Sequence, residues 1–399
     1  MSLAERVHRI EPSQTLAVTA LVAELRREGR DIIDLGAGEP DFETPAPVKE
    51  AAIAAIKEGF TKYTTSSGIL ELKQAVCKKY EADFGLSYSP AEVLITCGAK
   101  HAVINSLQAL CESGDEVILP APYWTSYLEQ IRLVDATPVI LDTTEENDFK
   151  LRPEQLEQAI TPRTKLLILN SPCNPTGSAY SRDELAALAE VLEHREVFVL
   201  FDEIYEKIVY DGFVHCNLAA WPRLRDRVIL VNGVSKSYAM TGWRIGYMIA
   251  DEEIVRAAAK IQGHSTSNPC SISQKASLAA LQADASILDE MVRAFDQRRK
   301  FLLETLNGFP GFHCTTPQGA FYLFPNVSRY FECTHQGKPV ANSVEFCSFV
   351  LQQEGVAVVP GDAFGAPNHV RISYATSMEN LEEAAVRIKR ALTVLLDGS

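Results

Sequence analysis

The chain has 399 residues, of which 46% are hydrophobic and 23% are charged, and its formal net charge is −14. This is the composition of a globular protein, so it excludes a disordered or low-complexity chain. The length allows two or three domains or one large α/β unit. The acidic charge argues against a general nucleic-acid binder, because it repels the phosphate backbone.

Membrane, export and metal signals are missing from the sequence. No apolar run approaches the ~20 residues of a membrane-spanning helix, and the first residues lack the apolar core of a secretory signal. The nine cysteines are scattered without a CxxC pair, which predicts reduced thiols and a cytoplasmic location. No zinc-like spacing and no HExxH motif occur, so we expect no metal site.

In chain order, the first predicted element is a helix over Val18–Arg27, closed by Gly29. Short apolar strands then alternate with amphipathic helices, which is typical of a mostly parallel sheet covered by helices. A capping box of Ser181 and Glu184 marks the start of one of these helices, Arg182–Glu193. The predicted strands are Val93–Thr96, Glu116–Leu119, Pro138–Leu141, Lys165–Leu169, Val197–Phe201, Val228–Val231 and Ile245–Ile249.

The C-terminal part has a different pattern, with fewer alternations and a mixture of helices and short strands. Its predicted elements are a helical region at 275–306, a strand at Ala320–Phe324, a helix near 343–354, strands near 356–359 and 370–373, and a helix at 378–396. We therefore predict an α/β fold with a large domain at residues 46–295. Residues 1–45 and 296–399 are predicted to form a smaller α+β domain.

Three familiar motifs are incomplete or absent. Gly36-Ala-Gly38 begins like a dinucleotide-binding GxGxxG, but the third glycine is missing and three prolines follow. Val197–Glu203 resembles a Walker B strand, yet the chain contains no GxxxxGK[ST] loop. No GxSxG elbow occurs either, so the common dinucleotide, ATP-binding and hydrolase sites are not predicted.

The run Ser235-Lys236, with Arg244 eight residues after the lysine, lies between two predicted strands. The end of a strand is where α/β folds place reactive groups. A desolvated lysine there has a lowered pKa and can form an imine with a cofactor aldehyde, and Ser235 and Arg244 can donate to a phosphate. A single lysine at a strand end is more often a solvated loop residue, so this prediction depends on the other motifs.

Two further motifs follow buried strands. Asp202 comes directly after Val197–Phe201, where a carboxylate can pair with the protonated nitrogen of a pyridine cofactor ring. Tyr205 can hydrogen-bond a phenolic oxygen on the same cofactor ring. The alternative for Asp202 is a helix cap. Asn174 lies in the turn Asn170–Gly177, which two prolines and a glycine make rigid, so its side chain is expected at the mouth of the sheet.

The last motifs supply phosphate donors and an aromatic face. Cys97-Gly98-Ala99-Lys100 is a small-residue turn at the start of a helix, where free N–H groups can bind a phosphate. Trp124 can stack on a pyridine ring, although a core aromatic is the alternative. A lysine, a carboxylate, phosphate donors and a stacking ring are together what a pyridoxal phosphate site needs.

On these motifs the chain resembles the class I, fold-type I pyridoxal phosphate aminotransferases. Within them it is similar to the prokaryotic-type aspartate aminotransferase branch, which also contains prephenate aminotransferases. The segments that carry the resemblance are Ala37–Phe42, Thr61–Tyr63, Pro122–Trp124, Asn170–Gly177, Asp202–Tyr205, Ser235–Lys236, Met240–Tyr247 and His369–Tyr374.

The resemblance implies a cofactor site for pyridoxal 5'-phosphate and a catalytic set of Lys236, Asp202 and Tyr205. Lys236 is implied to bind the cofactor aldehyde and then to act as general base. The implied cofactor-binding residues are Gly98, Ala99, Lys100, Trp124, Asn174, Asp202, Tyr205, Ser235, Lys236, Arg244 and Tyr63. Because Tyr63 is implied to reach the phosphate from a second subunit, we expect a homodimer with shared active sites.

The resemblance also implies how a substrate is held. Arg371 is expected to clamp the α-carboxylate bidentately, and Lys100 and Thr15 are expected at the distal carboxylate of aspartate or glutamate. Lys100 could instead be one more phosphate donor. The implied substrate-binding residues are Gly38, Trp124, Asn174, Arg371, Lys100 and Thr15.

The predicted activity is ping-pong transfer of an amino group between aspartate or glutamate and a 2-oxo acid such as 2-oxoglutarate or oxaloacetate. Prephenate is the alternative acceptor. Relatives that act on it often carry a basic residue before an N-terminal Pro-Ser, where this chain has Glu11, although Arg9 and Arg30 lie nearby. A β-lyase or cyclopropane-forming synthase on the same scaffold remains open. A regulator's sensing domain is disfavoured, because residues 1–30 are too short for a DNA-binding module.

Overall fold

The computed structural model describes residues 3–397 and contains helices and strands throughout. The strands are β1 (Ile33–Asp34), β2 (Val93–Thr96), β3 (Glu116–Ala121), β4 (Thr137–Asp142), β5 (Thr164–Asn170), β6 (Phe198–Asp202), β7 (Val228–Gly233), β8 (Gly246–Ile249), β9 (Tyr322–Leu323), β10 (Thr334–His335), β11 (Lys338–Pro339), β12 (Val356–Ala357), β13 (Val359–Pro360) and β14 (Val370–Ser373). The helices are α1 (Glu5–His8), α2 (Gln14–Arg27), α3 (Ala46–Lys57), α4 (Leu70–Phe84), α5 (Ala99–Leu110), α6 (Thr125–Leu133), α7 (Pro153–Ala159), α8 (Arg182–Glu193), α9 (Glu252–Ser265), α10 (Ser271–Gln282), α11 (Asp289–Asn307), α12 (Ser343–Glu354) and α13 (Met378–Asp397).

A seven-stranded sheet of order β2-β8-β7-β6-β5-β3-β4 forms the centre of the molecule. Only β8 runs antiparallel to its neighbours, so the prediction of a mostly parallel sheet in an α/β fold is confirmed. Strands β2, β7 and β8 are buried at every residue, because two apolar clusters pack against opposite faces of the sheet.

The carboxyl ends of three adjacent parallel strands meet at one edge of this sheet. Asn170 at the end of β5 is in register with Asp202 at the end of β6, and β7 ends beside them at Gly233. The loops that leave this edge carry Asn174 and Lys236. Parallel pairing therefore collects motifs that are far apart in the sequence.

The C-terminal part forms a second, smaller sheet of order β13-β14-β9 with antiparallel pairing. The N-terminal segment joins it, because β1 pairs with β12 in parallel and Leu35 lies in the same buried cluster as α11 and α13. The domain boundaries at residues 46 and 295 stay a prediction.

Several predicted elements differ in their ends. The helical region at 275–306 is divided, because the Asp284 side chain accepts from the Ser286 N–H and starts a separate 3-10 turn. The first long helix begins at Gln14 rather than Val18, since the Ser13 side chain caps it. The strand expected at 320–324 is reduced to β9, and the one near 356–359 is divided into β12 and β13, which pair with different strands.

Among residues 3–397, no helix is both long enough and apolar enough to cross a membrane.

Candidate active site

A cavity of about 620 Å³ lies between the carboxyl edge of the seven-stranded sheet and the small sheet. It brings together nearly all of the residues that the motifs predicted. Those that line it are Thr15, Gly38, Ala99, Lys100, Trp124, Asn174, Asp202, Tyr205, Ser235, Lys236, Arg244 and Arg371. Gly98 lies directly beside this lining, whereas Tyr63 is outside it.

Lys236 follows β7 by three residues, and its Nζ donates a hydrogen bond to the carbonyl of Gly38. Burial lowers the pKa of Lys236 to about 8, and the cations Arg371 and Arg244 act in the same direction, while Glu39 opposes the shift. An amine of this pKa is neutral in about a tenth of the molecules at pH 7 and in about half of them at pH 8. It can therefore serve as a nucleophile or a base.

Asp202 is buried at the floor of the cavity. Its Oδ2 accepts a hydrogen bond of 2.7 Å from the Tyr127 hydroxyl, and its Oδ1 accepts one of 3.1 Å from the Ile204 N–H. Burial raises the pKa of Asp202 to about 6, although both hydrogen bonds oppose the rise. The carboxyl group is thus mostly ionised at pH 7 and becomes protonated below pH 6.

Tyr127 is a cavity residue that the sequence motifs did not single out. It lies in the first turn of α6, and its ring meets the edge of Trp124 at 5.2 Å between centroids. The spacing of three residues between the two aromatics was the available signal, since such a spacing brings side chains together at a helix start.

Arg371 projects from β14 into the cavity and is 2% exposed. Its two Nη atoms donate to neutral groups, the Asn174 Oδ1 at 2.9 Å and the Gly36 carbonyl at 2.7 Å. Its Nε has no hydrogen-bond partner in the described part of the chain. A buried cation with neutral partners is costly by itself, so the site is suited to an anionic ligand.

Two aromatic rings pack against the Arg371 guanidinium. Its carbon lies 4.5 Å from the centroid of Tyr322 and 5.1 Å from that of Phe364. Tyr322 also shares a hydrogen bond of 2.8 Å with the hydroxyl of Tyr205. Tyr322 was not predicted as a site residue, because only the pairing of β9 with β14 brings it beside Arg371.

The start of α5 faces Arg244 across a tight backbone approach. Gly98 caps the helix with φ 83°, and no side chain caps the first turn. A Cβ at Gly98 would lie 2.4 Å from Arg244 Nη2, and one at Gly246 would lie 2.3 Å from the Ala99 nitrogen. Both positions therefore require glycine. A helix start without a side-chain cap, beside an arginine, offers donors and positive charge that suit an anion.

Lys100 and Thr15 complete the lining. The Lys100 Nζ lies 4.9 Å from the Trp124 ring centroid, and burial, together with Arg244, lowers its pKa. The Thr15 hydroxyl is 2.9 Å from that of Ser13. Tyr63, in contrast, is 91% exposed, so the single chain does not bring it into the cavity.

Comparison with known proteins agrees with this arrangement. Residues 30–388 match the family described as aminotransferase class I and II. The chain belongs to the class I and II aminotransferases. It is 49% identical over 391 residues to an aspartate aminotransferase of Geobacillus stearothermophilus, with 98% of each chain covered. It is 50% identical over 390 residues to an aspartate/prephenate aminotransferase of Cereibacter sphaeroides, with 97% of this chain and 98% of that protein covered.

A solved structure supports the same assignment. The aspartate aminotransferase from Rhizobium meliloti matches with a TM-score of 0.95 and 44% identity, covering 99% of this chain and 100% of that one. The predicted resemblance and fold class are therefore confirmed over nearly the whole chain. This aminotransferase is an enzyme, and its cavity is the candidate site for amino-group transfer.

Proposed function

We propose that this aminotransferase uses pyridoxal 5'-phosphate to move an amino group between L-aspartate or glutamate and a 2-oxo acid. The observation that carries the proposal is one cavity in which a lysine of pKa about 8, a buried aspartate and a buried arginine with a free Nε face each other. The names of the Geobacillus and Cereibacter relatives support aspartate as a substrate.

The lining fits the proposed cofactor. Its phosphate is a dianion, and the uncapped start of α5 with Arg244 offers donors and positive charge beside it. When bound, the cofactor ring supplies an electron sink for the bond that breaks at the substrate Cα. The residues proposed to hold it are Gly98, Ala99, Lys100, Ser235 and Arg244 at the phosphate, Asp202 at the ring nitrogen, Asn174 and Tyr205 at the phenolic oxygen, Trp124 at the ring face and Lys236 at the aldehyde carbon.

The protein residues divide the work of binding and proton transfer. Arg371 binds the substrate α-carboxylate with its free Nε and an Nη donor, which orients the Cα–H bond. Lys236, as a neutral amine, takes the proton from the substrate Cα and later gives it to the former aldehyde carbon of the cofactor. Ionised Asp202 holds a proton on the ring nitrogen, and the Tyr127 hydroxyl keeps this carboxylate in place.

The choice of substrate depends on the far side of the cavity. Lys100 adds a positive charge beyond Arg244 and Arg371, which favours substrates with two carboxylates. Prephenate is the second candidate acceptor, because relatives such as the Cereibacter enzyme carry that activity in their names. Glu11 stands where relatives that act on prephenate often have a basic residue, and its backbone N–H donates to the Glu129 carboxylate at 2.9 Å. We therefore rank oxaloacetate and 2-oxoglutarate above prephenate.

We further propose a homodimer in which Tyr63 binds the phosphate of the neighbouring site. Exposed apolar side chains on Tyr63 and on the helices before and after it in the chain support this assembly: Tyr63 is 91% exposed, and Ile53, Ile56 and Leu70 are 50%, 55% and 56% exposed. A second copy would cover this surface. All nine cysteines are free thiols, which supports a reducing, cytoplasmic compartment.

The direct test is a coupled assay of protein reconstituted with pyridoxal phosphate, supplied with aspartate and 2-oxoglutarate. We expect glutamate and oxaloacetate to form with ping-pong kinetics, and aspartate alone to change the visible absorbance of the bound cofactor. No product and no spectral change would refute the proposal. Pyruvate and ammonia formed without any 2-oxo acid would indicate a lyase, and faster turnover of prephenate than of oxaloacetate would reverse the ranking.

A further inference from the structure

Glu145 lies outside the cavity, in a short turn at Glu145–Asn147 after β4, the edge strand of the large sheet. Its carboxylate accepts three hydrogen bonds from the C-terminal part of the chain. The donors are His313 Nδ1 at 2.7 Å, Asn326 Nδ2 at 2.7 Å and His369 Nε2 at 2.6 Å. These bonds lower the pKa of Glu145 to about 2, and the bond from His369 contributes most. The group is therefore an ionised acceptor under all ordinary conditions.

The three donors also hold each other through the main chain. Asn326 forms β-bridges with both His313 and His369, and its N–H donates to the His313 carbonyl at 2.8 Å. One carboxylate thus ties three converging segments of the small sheet region to the edge of the large sheet.

A continuous set of contacts leads from this tie to Arg371. The His369 ring stacks on Phe324 at 4.9 Å with an interplanar angle of 8°. Phe324 meets Phe364 edge-on at 6.0 Å, and Phe364 lies 5.1 Å from the Arg371 guanidinium. His369 also precedes Arg371 by only two residues, directly before β14.

The turn that carries Glu145 has an unusual backbone. Asp148 and Phe149 have φ of 50° and 55°, a conformation that costs free energy in residues other than glycine. This backbone brings the buried Phe149 ring to 5.2 Å from His369 and 5.7 Å from Phe324. The same rings are therefore held by Glu145 at one side and by Phe149 at another.

We propose that Glu145 is a positioning residue for Arg371. It fixes His369 and, through the Phe324 ring, the Phe364 ring that contacts Arg371. The guanidinium therefore stays at the place where the substrate α-carboxylate binds. Without this tie, β14 and the rings beside it gain freedom, and the arginine must be ordered again each time a carboxylate binds. The inference rests on the proposed function only in giving Arg371 the substrate carboxylate.

The test compares Glu145→Gln with Glu146→Gln in the holoenzyme. Glu146 is the next residue in the same turn, but it is exposed and its side-chain bond is to Thr144. We expect E145Q to raise the KM for aspartate and the Kd of maleate, an unreactive dicarboxylate, by about 2- to 30-fold. The value of kcat and the affinity for pyridoxal phosphate should stay within about twofold of wild type, as should every parameter of E146Q.

A second variant guards against loss of folding in E145Q. His313→Ala removes one of the three donors at an exposed position, and we expect a smaller rise in the Kd of maleate with an unchanged melting temperature. Folded E145Q or H313A proteins that bind maleate as wild type does would overturn the positioning role. If the wild-type protein itself neither binds maleate nor transaminates, the proposed function fails instead, so the two failures are distinguishable.

Discussion

The two walls of the cavity use opposite physical means. On the large-sheet wall, Lys236 and Asp202 are ionisable groups whose pKa values burial moves toward neutrality, to about 8 and about 6. On the small-sheet wall, Arg371 keeps a permanent charge among neutral partners and aromatic rings. The first wall is suited to moving protons, and the second to binding an anion whose place does not change.

The two walls are also held in place by different parts of the structure. The groups on the large-sheet wall follow the ends of parallel strands, so the main chain positions them directly. Arg371 depends on rings from two other segments and, through them, on Glu145. Substitutions on the first wall should therefore change kcat and cofactor binding, whereas those on the second should change substrate binding.

The largest effect is expected from Lys236→Ala, because it removes the base that moves the Cα proton. Activity should fall by about 10⁴-fold, measured as single-turnover conversion of aspartate in reconstituted protein. Maleate binding should survive within a few-fold, since the Arg371 wall is untouched. A variant that retained a tenth of the wild-type rate would remove Lys236 from the catalytic set.

Arg371→Ala should produce the second largest effect, a loss of about 30- to 3,000-fold in kcat/KM for aspartate, because it removes a buried charge partner of the carboxylate. Arg371→Lys should recover little of it, since lysine has no planar fork. The dissociation constant of pyridoxal phosphate, measured by fluorescence titration, serves as the control and should be unchanged. Equal losses of cofactor and substrate binding would contradict the division between the walls.

Tyr127→Phe should weaken binding of pyridoxal phosphate by about 10- to 150-fold at pH 7, because a hydrogen bond to a charged group contributes roughly 1.5–3 kcal/mol. Without that donor the pKa of Asp202 rises above 6, so the cofactor is lost at a higher pH during acid titration. Tyr180→Phe is the matched control, a buried tyrosine whose hydroxyl accepts instead from the Leu151 N–H. Identical titration midpoints for both variants and wild type would exclude the role of Tyr127.

The smallest effect is in the pH dependence of the wild-type apoenzyme. Only the neutral amine of Lys236 reacts with an aldehyde, and its pKa is lowered to about 8, so the rate of cofactor incorporation should rise about fivefold from pH 7 to pH 8 and level off above. Cofactor affinity should fall below pH 6 as Asp202 gains a proton. Stopped-flow absorbance at constant ionic strength measures the first change, and a rate still rising tenfold per pH unit at pH 10 would contradict it.

Local patterns predicted much of the large sheet. The capping box at Ser181 predicted the start of α8, because side chains next to a helix start satisfy its free N–H groups, and the amphipathic pattern predicted its extent to Glu193. Continuous apolar runs likewise predicted β2, since burial on both faces leaves no alternation. Less was predicted where pairing decides the structure, as in β12 and β13, which are short and join different partners.

The cavity likewise combines residues that local sequence patterns predicted with residues that only strand pairing and packing bring in. The sequence by itself determined the chemical groups of the large-sheet wall, because Asn174, Asp202 and Lys236 each follow a strand end that is visible as an apolar run. Only the tertiary structure decided the surroundings of those groups. Tyr127 on Asp202, Tyr322 beside Arg371 and Glu145 behind it come from distant segments, and which of them meet depends on strand order and packing rather than on any local pattern.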